Sequence, residues 1–151
     1  MCERARRPAE SSARTVTVIL VLDASAAAAI VFREPAGLLV APRLFQASRA
    51  LVPQLFHLEL ANVARTKVSR REIDRRRAFR LLADVRRWPV EVVSVGWERS
   101  LRLALRTGLT VYDAAYLRLA RDRRVHLLSL DRALCFAAGR LAAPRRIQKI
   151  L

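Results

Sequence analysis

The stretch VILVLDASAAAAIVF, residues 18–32, is apolar on both sides of a single acid, Asp23. Its first half belongs to TVTVILVL (15–22), a short β-branched run that predicts a buried strand ending at Asp23. ASAAAAIVF (24–32) then continues as a helix, and REP (33–35) ends it. Burying one carboxylate in such a run is expensive unless it is paired or has a chemical role. The reason for Asp23 must lie elsewhere in the chain.

Outward from this unit the pattern repeats. AGLLVAPRLFQASR (36–49) reads as helical but interrupted by Pro42, and ALVP (50–53) as a short strand. QLFHLELANVARTKV (54–68) has apolar residues at 55, 56, 58, 60, 63 and 64, which predicts a mostly buried helix opened by Pro53. REIDRRRAFRLLADVRRW (71–88) is amphipathic, with Ile73, Phe79, Leu82 and Val85 as its apolar stripe and arginines on the other face. PVEVVSV (89–95) alternates like a strand. WERSLRLALR (97–106) carries Trp97, Leu101, Ala104 and Leu105 at helical spacing, TVYDAAYLRLARD (110–122) is a helix, VHLLSL (125–130) a strand and DRALCFAAGRL (131–141) a final helix. Strands separated by helices imply βαβ units, hence an α/β fold with a mainly parallel sheet flanked by helices in three αβα layers. Ligands in such sheets bind outside the carboxyl ends of the strands. Asp23 sits at one such end, and Asp131 directly follows another.

A chain of 151 residues with 53% hydrophobic content suits a single domain, predicted over residues 16–151, with residues 1–15 as a disordered or extended lead. The basic opening, the apolar run and ASA (24–26) imitate a secretory signal. Asp23 leaves only residues 16–22 uninterrupted, however, and the span to Phe32 is short and charged for a membrane helix. Cys2 and Cys135 make no disulfide framework, and Cys135 reads as a buried thiol, so a cytoplasmic setting is expected. The formal charge of +16 suggests a polyanionic partner, most simply nucleic acid. The basic residues are nearly all arginine in an alanine-rich chain, a composition that GC-rich codon bias also produces.

Of 13 acids, most lie beside arginines on solvated faces; Asp23, Glu59, Asp113 and Asp131 do not. Asp23 and Asp131 can be read as helix N-caps, and TVYD (110–113) resembles a capping box formed by Thr110 and Asp113. Glu59, between Leu58 and Leu60, gains nothing from capping. Taken together, three acids at strand ends or helix starts and a fourth inside a helix would destabilise the fold by mutual repulsion if they converge. A hard divalent cation relieves that repulsion, since it takes carboxylate oxygens and keeps waters.

LDASA (22–26), VPQLFHLELANV (52–63), LTVYDAAYL (109–117) and LLSLDRAL (127–134), in this order and spacing, resemble the PIN domain, and more specifically VapC-type toxins of bacterial toxin–antitoxin pairs. The resemblance runs from about residue 16 to the end of the chain. It implies a metal-dependent ribonuclease in which Asp23, Glu59, Asp113 and Asp131 hold Mg²⁺ or Mn²⁺ at the carboxyl edge of the sheet. It also marks Ser25, Asn62, Thr110 and Ser129 as supporting or substrate-contacting positions. Their plainer readings are capping for Ser25 and Thr110 and local backbone bonding for Asn62 and Ser129. The lead peptide and Pro42 depart from the family pattern.

The implied reaction is hydrolysis of RNA phosphodiesters by a metal-activated water. The arginines and lysine of residues 65–87, ten bases against three acids, are candidate phosphate grips, although a solvated helix face has the same composition. Tyr112 and Tyr116 can stack on bases or pack in the interior. No glycine pattern suits a phosphate loop, no G-x-S-x-G elbow occurs, and His57 and His126 join no Cys/His cluster. The competing readings are a non-catalytic PIN-like RNA-binding or regulatory module, and a DNA or flap nuclease with the same metal site. The toxin reading further implies RNA as substrate, a small cognate antitoxin and a homodimer; the exposed part of LLVAPRLF (38–45) is a candidate interface, and the short, charged opening span argues against membrane association.

Overall fold

The computed structural model describes residues 18–141. The predicted lead, residues 1–15, and the first residues of the predicted opening strand lie outside them. Strands β1 (Ile19–Leu22), β2 (Arg49–Pro53), β3 (Val90–Val93) and β4 (His126–Leu128) form one parallel sheet in the order β3-β2-β1-β4. β1 pairs with β2 through Leu20↔Ala50 and with β4 through Val21↔Leu127. A strand with neighbours on both edges and helices on both faces must be apolar throughout, which is why ILVL reads as a continuous run.

Seven α-helices are described: α1 (Ala24–Val31), α2 (Gly37–Gln46), α3 (Phe56–Ser69), α4 (Arg75–Asp84), α5 (Trp97–Thr107), α6 (Val111–Arg123) and α7 (Arg132–Leu141). A 3₁₀ turn, Val85–Arg87, follows α4. From β1 the chain steps outward to β2 and then β3 through α1 to α4, then crosses back past β1 to β4 through α5 and α6. Right-handed crossovers in opposite directions place these two groups of helices on opposite faces. The packing agrees: α1 contacts α2 and α3, α3 contacts α4, and α6 lies on β1, β2 and β4 with α5 and α7 beside it. The predicted three-layer α/β arrangement is therefore what the chain adopts. The reversal in strand order falls between β1 and β4, the place where doubly wound sheets open a crevice. Among the described residues no helix is long and apolar enough to cross a membrane.

Several local expectations need correction. Pro42 does not interrupt α2, which runs through it. The carbonyl it leaves without a donor is that of Leu38, a surface residue at 79% exposure, while buried Val40 and Leu44 anchor the helix on either side. Pro53 does not open α3 but ends β2, opposite Val93. Beyond that pair the Gln54 side chain extends the sheet, accepting from the Val95 N–H and donating to its carbonyl. α3 buries only Phe56, Leu60 and Ala64, one narrow stripe and not most of its surface. α4 starts at Arg75, capped by Asp74, and Phe79 stands 77% exposed beside an apolar groove between α3 and α4. On α5 the buried residues are Ser100, Leu103 and Ala104, so of the expected stripe Ala104 faces the core while Trp97, Leu101 and Leu105 face outward.

One glycine is required by close approach. A Cβ on Gly37 would overlap the carbonyl group of Ala29, so the start of α2 rests directly on the backbone of α1. Gly37→Ala should lower stability by about 1–3 kcal/mol, because backbone cannot step aside as a flexible side chain would. Chemical denaturation of the two proteins checks this; an unchanged midpoint would mean that α1 and α2 are not in that contact.

Candidate active site

Asp23 follows β1, and its N–H donates to the Leu128 carbonyl at the end of β4 (3.0 Å). It is also the N-cap of α1, so the capping reading is correct as far as it goes. Its carboxylate is 4% exposed, and every hydrogen bond it receives falls on one oxygen, Oδ2. The donors are the Ser25 N–H (3.3 Å), the Ser25 hydroxyl and the Ser129 hydroxyl (2.8 Å). Both serines also tie the loop after β4: Ser25 Oγ accepts from the Leu130 N–H and Ser129 Oγ from the Asp131 N–H, each at 3.0 Å. Ser25 and Ser129 are thus structural partners of Asp23, which couples the ends of β1 and β4.

The other three acids are held in the same manner. Glu59 lies in the first turn of α3, half-buried, and not inside a buried helix as the leucines around it suggested. One of its oxygens, Oε2, accepts from the hydroxyl of Tyr116 on α6. Asp113 lies in the first turn of α6, where Thr110 forms the predicted capping box: Thr110 Oγ1 accepts from the Asp113 N–H (3.1 Å) and donates to Oδ2 (2.6 Å). Asp131 accepts from the Leu134 N–H through Oδ1 (2.7 Å), capping α7. Among the described residues, then, each of the four carboxylates is gripped through one oxygen and leaves the other without a hydrogen bond.

Electrostatics divide the four. Burial raises the pKa of Asp23; the two serines offset part of the rise and the charge on Asp113 adds to it. Glu59 is pushed up to about 7 by burial first and then by the charges of Asp23 and Asp113, against the opposing pull of the Tyr116 hydroxyl bond. The charges of Asp23 and Asp113 thus act on Glu59, and that of Asp113 on Asp23, while the backbone N–H of Asp131 donates to the Ser129 hydroxyl that also holds Asp23. None of the four pairs with a base among the described residues, although ion pairs form elsewhere: Arg49–Glu91, Lys67 with Glu34 and Glu72, and Arg118–Asp122.

The donor set fits a hard divalent cation in chemistry: oxygen only, with Asp23, Glu59 and Asp113 repelling one another and, among the described residues, no arginine compensating them and one oxygen of each acid to spare. Among the described residues no three His, Cys, Asp or Glu side chains stand close enough to enclose an ion without adjustment. Asn62 is exposed on α3, three residues after Glu59, and its Oδ1 accepts from Arg65 Nε (3.1 Å). His57 is exposed, with its ring edge-on to Phe56. Tyr116 is the residue the motif reading missed. Fully buried, it is one helical turn after Asp113, but its partner Glu59 is distant in sequence and no local pattern announces the bond.

The family model described as PIN domain matches residues 20–139. Ribonuclease VapC12 of Mycobacterium tuberculosis, in two strains, is 33% identical over 126 residues, covering 80% of this chain and 93% of the relative. The crystal structure of PAE2754 from Pyrobaculum aerophilum superposes with a TM-score of 0.67 at 24% identity, over 87% of this chain and 83% of that one. That of Mycobacterium tuberculosis VapC20, described as a sarcin–ricin loop cleaving toxin, gives 0.57 at 17% identity, over 84% and 98%. With a parallel sheet reversed at β1/β4, four acids at its carboxyl edge and these relatives, the chain belongs to the PIN domain family, among the VapC ribonucleases.

Proposed function

We propose that the protein is an endoribonuclease that hydrolyses RNA phosphodiester bonds with Mg²⁺ or Mn²⁺ and acts as the toxin of a VapBC-type pair. The observation that carries this reading is the buried Asp23 carboxylate, held by two hydroxyls through one oxygen, repelled by Asp113 and, among the described residues, paired with no base. A carboxylate needed only as a cap gains nothing from deep burial beside a second acid. VapC-type PIN ribonucleases are generally dependent on divalent metals, and the relative named Ribonuclease VapC12 supports RNA as the substrate.

Bound among the carboxylates, the cation supplies positive charge and Lewis acidity at the scissile phosphate. The protein's part is to present oxygens in fixed directions. Ser25 and Ser129 lock the Asp23 carboxylate, Tyr116 holds Glu59 against the start of α6, and Thr110 orients Asp113. Asp131, at the N-terminus of α7, stands on the β4 side of the same crevice. The antitoxin's place is the apolar groove between α3 and α4, about 360 Å³, lined by Ala61, Ala64, Val68, Ala78, Phe79 and Leu82. The outward side chains of Leu38 and Leu39 on α2 make the homodimer surface.

Purified protein should cleave total RNA with Mn²⁺ or Mg²⁺ and not with EDTA, and Asp23→Asn at equal folded concentration should not cleave. RNA binding without cleavage under any metal would instead mean a binding module. Cleavage of flap DNA with RNA left intact would mean a DNA nuclease.

The acids also predict a pH dependence. The pKa of Glu59 is higher in the folded than in the unfolded chain, so its contribution to stability is present below about pH 4.5 and is lost as pH rises through about 7. Asp23 acts in the same direction. The thermal midpoint in EDTA should fall from pH 5 to pH 7.5, more shallowly in Glu59→Gln, and Mn²⁺ should restore it at pH 7.5. A midpoint that rises with pH in EDTA would contradict the electrostatics of the site.

Tyr116→Phe removes only the hydroxyl that holds Glu59. It should weaken Mn²⁺ binding about 10-fold, the usual cost of losing a partner behind a metal ligand, without lowering the midpoint in EDTA. Titration calorimetry and a melting curve separate this from simple loss of packing.

A further inference from the structure

A strongly basic concavity lies not on α4, where the sequence concentrates its arginines, but between α5 and α6. A cleft of about 720 Å³ there is lined by Arg99, Arg102 and Arg106 from α5 and Arg118 and Arg121 from α6, against two acids, Glu98 and Asp122. Asp122 is already taken, accepting from Arg118 Nε at 2.7 Å. Arg99, Arg102, Arg106 and Arg121 have no acidic partner among the described residues, although α5 spaces the first three at three and four residues along one face. Like charges at that spacing weaken a helix. A second cleft of about 350 Å³, reaching to residues 93–96 at the end of β3, shares Arg99 and Arg118 and the acids Glu98 and Asp122 with the first and adds Arg123. The basic surface is therefore elongated: Arg99 to Arg106 alone spans about 10 Å of helix.

Size and lining decide what it takes. It is too long for a single phosphate. The larger cleft has one apolar residue, Leu103, and no aromatic ring, so it offers neither an anchor for a peptide side chain nor a platform for bases. Spaced guanidiniums without stacking partners suit successive phosphates, read without regard to sequence. The cleft is also close to the acids. Arg118 and Arg121 follow Asp113 on α6 by about 8 and about 12 Å of rise and turn onto another face of that helix.

We propose that the α5–α6 cleft anchors the sugar–phosphate backbone of the RNA substrate at nucleotides beyond the cleaved bond. This rests on the ribonuclease reading for its substrate, and extends it to a second contact surface distinct from the acid site. The strand turns around α6 between the two. Affinity for long RNA then comes largely from α5 and α6, while short oligonucleotides depend on the acid site alone.

The test compares two triple variants of the full chain that remove the same charge: Arg102→Ala with Arg106→Ala and Arg121→Ala in the cleft, and Arg76→Ala with Arg77→Ala and Arg80→Ala on α4. Binding of a labelled 30-nucleotide single-stranded RNA is measured in EDTA across a salt series, so the result does not depend on cleavage. The cleft triple should bind about tenfold or more weakly, with a salt slope shallower by about 2, while the α4 triple changes affinity less than about twofold. Equal losses in both triples, or none in either, would overturn the proposal, as would a cleft triple that loses binding to polyglutamate and keeps binding to RNA. With Mn²⁺ the cleft triple should cleave a pentanucleotide reporter like wild type and long RNA more slowly. If wild type cleaves neither, the ribonuclease reading fails while the binding comparison still judges the cleft.

Discussion

The structure depends on how one buried carboxylate is held. Asp23 receives its hydrogen bonds from hydroxyls and an amide, not from a cation. Such bonds offset part of the burial cost and leave the negative charge uncompensated. An arginine in their place would stabilise the fold more and would also fill the space an ion needs. Glu59 and Asp113 repeat the arrangement with a tyrosine and a threonine. The site is therefore the least stable part of the electrostatics of the fold, which is common where function is built into a scaffold.

Charge is segregated across the chain to match. There are 29 basic residues and 13 acids, so random placement would surround every acid with arginine. Four surface acids, Glu91, Glu34, Glu72 and Asp122, are bridged by Arg49, Lys67 and Arg118, and among the described residues none of the four site acids is. The apolar framework does the separating: Leu22 and Leu128 wall the strand ends, and Phe56 and Leu60 line the helix that carries Glu59. Arginines are left to the outer faces of α4, α5 and α6, where a phosphate backbone can reach them.

Much of this was legible in the sequence, for identifiable reasons. ILVL and its acid could be read because a central parallel strand must be apolar on both faces, and the alternation of strands and helices then implies the layers. Asp23, Glu59 and Asp113 could be singled out because acids without nearby bases are conspicuous in so basic a chain. Helix faces were harder. α5 has apolar residues on two sides, and of the set at helical spacing, Trp97, Leu101, Ala104 and Leu105, only Ala104 is buried. Its packing against α6 instead admits Ser100, Leu103 and Ala104, small enough for close approach. Asn62 has a plausible spacing from Glu59, but spacing does not reveal that Arg65 occupies its carbonyl oxygen. The Tyr116–Glu59 bond joins two helices that only the completed sheet brings together.

The pairing of β1 with β4 also has a consequence for the order in which the molecule is made. β1 and its acid leave the ribosome first, while Leu128, Ser129 and Asp131 follow about a hundred residues later. Until then β1 has one open edge, and Asp23 lacks both the backbone acceptor and the hydroxyl that fix its direction. A nascent chain of this protein can fold its first helices and their groove well before Asp113 and Asp131 are made. The surface proposed for a partner is thus available during synthesis earlier than the chemistry that the partner would restrain.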